Sequence, residues 1–180
     1  GIRGTAALDF LELATEVIDL RSFSNLWYWI ALAALWSTAS HWVVGVPFDM
    51  VTRARRGHER SLHDMRVLAE VNVARILTII EVSGPWVAGF AAFVLTALGV
   101  LGWGYRVEFA QAVFLLALPM TLVAILTIHT ARSLRDTGFE DLPRRLRNHR
   151  MMVQGIGVVS IFITAFWGMW TNLNYGALGL

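Results

Sequence analysis

The sequence predicts an all-α polytopic membrane protein: one transmembrane domain over residues 1–180, built as a four-transmembrane-helix bundle with both termini outside. Three observations predict it. The 180 residues are 56% hydrophobic and 16% charged, with mean hydropathy +0.57, whereas soluble domains run at about 45–50% apolar and about 25% charged. Four apolar runs reach the roughly 20 residues that a helix needs to cross a hydrocarbon core. The arginines also alternate: twelve fall in the two loops joining spans one to two and three to four, and only Arg3, Arg21 and Arg106 fall elsewhere. Basic residues beside a span are retained on the cytoplasmic side, so both loops lie inside.

The elements follow in order. Residues 1–25 form an outer-face segment whose stretch 8–20 reads as an N-terminal amphipathic interfacial helix. Asp9, Glu12, Glu16 and Asp19 recur at three- and four-residue spacing as an acidic stripe, with Leu8, Leu11, Val17 and Ile18 among the apolar remainder. Such a helix lies flat on the membrane or covers another subunit. Ser22, Ser24 and Asn25 then offer capping side chains for the first span, 26–46, which carries no formal charge. That run is too long for a secretory signal core and lacks a basic leader, so it reads as a retained span.

The first cytoplasmic loop is 47–75. Within it Leu62, Met65, Leu68, Ala69, Asn72, Val73 and Ile76 keep helical spacing, so the second membrane helix projects several turns into the cytoplasm. Span two is 76–103 and encloses Glu81; span three is 109–128. The second cytoplasmic loop, 129–150, is divided by Gly138, and span four, 151–170, leads to an outer tail at 171–180. Trp27, Trp29, Trp103, Trp167 and Trp170 fall at outer ends and Trp42 at an inner end, as amphipathic rings at headgroup depth should. Trp36 and Trp86 lie deeper and are expected between helices.

Composition removes much chemistry. With no cysteine there is no disulfide, thiolate nucleophile or Cys-ligated zinc or iron–sulfur cluster. All fifteen basic residues are arginine, so no Lys-linked cofactor can form. No catalytic residue set emerges, including where Glu108 and Gln111 open the third span. The chain reads as a non-enzyme with no predicted cofactor.

Candidate sites remain. Glu81 is the one formal charge within a span, beside Ser83, Gly84 and Pro85, and an intramembrane carboxylate marks a pathway, a relay or a buried partner. It lies six residues past Arg75, about 9 Å along a helix, so pairing with Arg75 or Arg150 is the alternative. His41 and His129 end different spans at one depth and are the candidate ligands for a haem or pigment. His58, His63 and His149 read as ordinary loop residues; His58 and His63, with Glu59 and Asp64, have a metal-like composition but not the four-residue spacing of a helical ligand pair. Ser160, Thr164 and Gly168 form a small-residue face on the fourth helix, and Gly84, Ala88 and Ala92 another on the second. Arg53, Arg55, Arg56, Arg60, Arg144, Arg145, Arg147 and Arg150 are the candidates for docking anionic lipid or an acidic cytoplasmic protein. Nucleic acid is not expected, since seven acids intersperse the loops without an aromatic stacking pattern.

The strings Leu20-Arg21-Ser22-Phe23-Ser24-Asn25-Leu26-Trp27-Tyr28-Trp29, Trp36-Ser37-Thr38-Ala39-Ser40-His41-Trp42, Glu81-Val82-Ser83-Gly84, Glu108-Phe109-Ala110-Gln111-Ala112 and Thr164-Ala165-Phe166-Trp167-Gly168-Met169 carry a resemblance. Over roughly residues 16–170 the chain resembles a family of small alphaproteobacterial inner-membrane proteins labelled components of the SufBCD iron–sulfur cluster assembly complex. The resemblance implies the bacterial inner membrane and an association with that complex, and it brings no catalytic residues. Without thiolates, a scaffold or sulfur-carrier role is excluded. The leading expectation is a non-catalytic accessory or anchoring subunit, with the lipid bilayer and other membrane subunits or a homo-oligomer as partners. The alternatives are a small oligomeric transporter or channel-like protein using Glu81, and a haem- or pigment-associated subunit.

Overall fold

A computed structural model describes residues 26–177; the expected amphipathic helix at 8–20 and the capping residues Ser22, Ser24 and Asn25 lie outside the described residues. The chain runs through α1 (Leu26–His41), a β-hairpin of β1 (Trp42–Val43) and β2 (Val46–Pro47), α2 (Phe48–Arg55), α3 (Glu59–Gly99), α4 (Glu108–Asp136) and α5 (Leu142–Ala177). It is helical throughout except for that hairpin and the turns.

Among the described residues, three helices are long and apolar enough to cross a membrane: Glu59–Gly104, Glu108–Asp136 and Leu142–Asn174. The first is α3 extended by a π-helical turn, Val100–Gly104. Its 46 residues span about 69 Å at 1.5 Å per residue, more than twice a hydrocarbon core of about 30 Å. Pro85 sits inside it without ending it, although the carbonyl of Glu81, four residues back, loses its intrahelical donor there.

The first helix ends at His41 and not at residue 46. The hairpin stops it: Trp42 pairs with Pro47 and Val43 with Val46, and the turn between them needs left-handed backbone at Val44 (φ 52°) and Gly45 (φ 75°). Two consecutive positive-φ residues match the right-handed twist of a two-residue hairpin. At Gly45 a Cβ would come within 2.8 Å of Asn72 Nδ2, which itself donates to the Gly45 carbonyl at 3.2 Å. The hairpin is thereby fastened to α3.

The two expected loops are largely helix. Residues 59–75 belong to α3, α4 continues to Asp136, and α5 begins at Leu142, leaving only 137–141 as the second connection. The reason is burial. Met65, Ala69, Val73 and Leu77 recur every four residues on α3 and are all buried. They pack with Val43, Val44 and Val46 of the hairpin, Val51 and Ala54 of α2, Ala131 and Leu134 of α4, and Leu142 and Leu146 of α5. This is the most extensive apolar core of the described residues, and it lies at the arginine-rich end.

Along the apolar lengths of the helices, α1 packs on α4 and α5 through Leu32, Trp36 and Val153, flanked by Leu116, Met120, Val123 and Ile156. Gly157 admits this approach, since a Cβ there would stand 2.9 Å from the Trp36 ring. Trp36 is buried as expected, but Trp86 is 83% exposed and packs between no helices. It shares an outward surface of α3 with Val82, Phe90 and Phe93, a surface suited to lipid tails. Ser160, Thr164 and Gly168 do face the bundle, whereas Ala88 and Ala92 point outward.

Candidate functional site

At the arginine-rich end, α2, the hairpin and the projecting ends of α3, α4 and α5 form a small folded module over the core just described. Its arginines divide into two groups. The side chains of Arg55, Arg56 and Arg60, around the turn at Gly57, are exposed and make no hydrogen bond or ion pair with the described residues; that of Arg144 does likewise at the start of α5. Arg53 is exposed too and pairs with Asp49 at 3.0 Å.

The other group is structural. Arg145 donates to the carbonyl of Glu140 at 3.1 Å and to Ser133 Oγ at 2.8 Å, closing the 137–141 connection. That connection needs closing, because Phe139 (φ 61°) and Asp141 (φ 49°) hold left-handed backbone without being glycine. Arg150 donates from Nε to the carbonyl of Ser40 at 3.1 Å, near the last turn of α1, with its guanidinium 3.7 Å above the Phe48 ring. Gln154 Nε2 adds a bond to Ser40 Oγ at 3.1 Å. Arg147 is half-buried. All eight are docking candidates by sequence; among them Arg145 and Arg150 also hold elements together.

Glu81 pairs with Arg135 at 3.4 Å, and neither with Arg75 nor with Arg150. The two side chains are 70% and 52% exposed, so Glu81 stands on the outside of the bundle. Neighbouring Pro85 is exposed and Ser83 half-buried. His41 and His129 are both exposed, His41 edge-on to Trp42 at 5.5 Å, and no contact joins the two histidines. No group of three His, Asp or Glu able to hold a metal exists among the described residues. His149, read as an ordinary loop residue, is 3% exposed and hydrogen-bonds through Nδ1 to Thr130 Oγ1 at 2.9 Å, linking α5 to α4.

A second polar constellation occupies the opposite end. Gln111, 8% exposed, donates to the Gly102 carbonyl at 2.7 Å and accepts from Trp167 Nε1 at 3.0 Å. Tyr28 donates to the Ala112 carbonyl at 3.1 Å, bringing in α1. Trp103 lies 5.8 Å from Trp167 and 5.1 Å from Phe114, ring to ring. These groups border a cleft of about 400 Å³ whose lining includes Trp103, Arg106, Gln111, Trp167, Trp170 and Asn174. Sequence reasoning placed the tryptophans at this end but did not join them to Gln111. The available signal was a buriable polar pair, Glu108 and Gln111, one turn apart at the start of an apolar helix and just after Gly102 and Gly104.

The fold is thus that of a helical membrane-type protein with a folded polar module at one end and an aromatic-lined cleft at the other. No protein-family model, curated protein or solved structure matches the chain.

Proposed function

We propose that the chain is a non-catalytic anchoring or accessory subunit of a bacterial inner-membrane complex, holding an acidic soluble partner on its arginine module. One observation carries this reading: the arginine-rich segments have a buried core of their own. Arg55, Arg56, Arg60 and Arg144 are therefore displayed on a rigid surface, and ordering them costs little on binding. Unpaired, exposed guanidiniums steer and select an acidic partner.

In this reading α1 is a fourth span and the module faces the cytoplasm, because twelve of fifteen arginines lie at that end. Both termini are then periplasmic. The exposed apolar length of α3 is left for lipid, another membrane subunit or a second copy. A pathway through Glu81 would run between protomers, since the residue stands outside the bundle. The resemblance to the Suf-associated family supplies the first partner to look for.

The test is cross-linking and co-purification from native membranes, comparing the natural chain with a variant carrying Arg55→Gln, Arg56→Gln, Arg60→Gln and Arg144→Gln. At equal membrane levels the variant is expected to lose its acidic soluble partner. Unchanged recovery of that partner removes the reading.

A further inference from the structure

We propose that the tryptophan-lined cleft is a binding site for the phosphate headgroup of an anionic phospholipid. The argument begins with charge. Arg106 is the only formally charged residue lining the cleft among the described residues, and it makes no hydrogen bond or ion pair with them. The nearby carboxylate of Glu108 is buried, 6% exposed, and does not line the cleft. A lone guanidinium beside indoles repels a cationic ligand and accepts a phosphate through its forked donors.

Geometry adds to this. Arg106 has left-handed backbone (φ 54°) in the short joint between the π-helical turn and α4. A non-glycine residue held there is uncommon and fits a constrained, functional turn. The Gln111 amide is committed on both sides, to Gly102 and to Trp167, so it fixes one indole wall in place. Asn174 brings a further amide to the lining. A volume of about 400 Å³ lies within the usual range for small-ligand sites, about 300–1,000 Å³.

Position selects a lipid over a soluble anion. The cleft sits at the ends of the apolar helices, where Trp103, Tyr105 and Trp170 mark the water boundary. The same helix ends expose Val100, Phe109 and Leu173. A ligand with phosphate at Arg106 and acyl chains along that apolar surface satisfies both; a free phosphate uses only the single guanidinium. This inference concerns the end remote from the arginine module and does not depend on what that module binds.

The test is native mass spectrometry of the full chain in a neutral detergent, titrated with palmitoyl-oleoyl phosphatidylglycerol or its phosphatidylcholine counterpart. One phosphatidylglycerol is expected to be retained, roughly fivefold tighter than phosphatidylcholine, the worth of one basic contact near the surface. Arg106→Gln should abolish that preference, Arg106→Lys should keep most of it, and Arg132→Gln, at the other end, should leave it intact. If Arg106→Gln does not fold, Trp170→Ala serves instead and should weaken retention similarly. Equal binding of the two lipids, equal behaviour of the Arg106→Gln and Arg132→Gln variants, or displacement of the lipid by millimolar inorganic phosphate overturns the proposal.

Discussion

Gln111 Nε2 donates to the carbonyl of Gly102 at 2.7 Å across the joint between α3 and α4. The contact is possible only because residue 102 is glycine: a Cβ would stand 2.9 Å from Gln111 Cγ and 3.1 Å from its backbone nitrogen. Replacing Gln111 with leucine orphans two groups, the Gly102 carbonyl, which is buried, and Trp167 Nε1, which is half-buried. Each such orphan costs about 1–3 kcal/mol. Gln111→Leu is expected to lower stability in detergent by at least about 2 kcal/mol, measured by thermal or denaturant unfolding. A loss below a few tenths of that would mean the two groups find other partners.

Gly45 and Gly57 separate two causes that a glycine count conflates. Both hold positive φ, 75° and 87°, but a Cβ at Gly57 meets nothing within 4 Å, whereas at Gly45 it meets Asn72. Gly57→Ala should cost about 1 kcal/mol for left-handed backbone alone. Gly45→Ala should cost more, by about 1 kcal/mol for the displaced Asn72 bond. Equal costs, read from unfolding midpoints, would show that the hairpin is not fastened to α3 through Asn72.

How much of this was legible in the sequence depends on the range of the interaction. The helical spacing of Met65, Ala69 and Val73 announced that α3 begins well before its uncharged apolar stretch, because period is a local property. What that stripe packs against was not legible, since Leu134 and Leu146 reach it only through tertiary structure. Charge counting treated every arginine alike, yet Arg150 reaches Ser40 across 110 residues of chain and becomes a strut. Gln111 was visible as a polar residue at a helix start; its partners, Gly102 and Trp167, lie on other elements.

Glu81 and Arg135 form an ion pair whose side chains are more than half exposed, at a separation of 3.4 Å. Pairs of that exposure are worth about 0–1 kcal/mol. A double-mutant cycle with Glu81→Gln and Arg135→Gln is therefore expected to return a coupling below about 1 kcal/mol. In liposomes, Glu81→Gln should leave ion flux unchanged. A collapse of flux in that variant would restore the residue to a conducting pathway between protomers.

Thr164 differs from four other helical threonines in a way that sets the sign of a substitution. Thr38, Thr96, Thr121 and Thr127 each donate to the carbonyl four residues back, at 2.9, 2.7, 2.8 and 2.8 Å. The hydroxyls of Thr164 and of Ser160, one turn away, have no partner among the described residues, and Thr164 is fully buried. An unpaired buried hydroxyl lowers stability, and valine has nearly the same shape without it. Thr164→Val should accordingly be neutral or stabilising by up to about 1 kcal/mol, while Thr121→Val, which gives up a bond to its own helix, should not stabilise. Unfolding of both variants in the same detergent decides it. Marked destabilisation by Thr164→Val alone would mean that this hydroxyl is held by a water inside the bundle, and the interface of α1, α4 and α5 would then be a hydrated seam instead of a dry one.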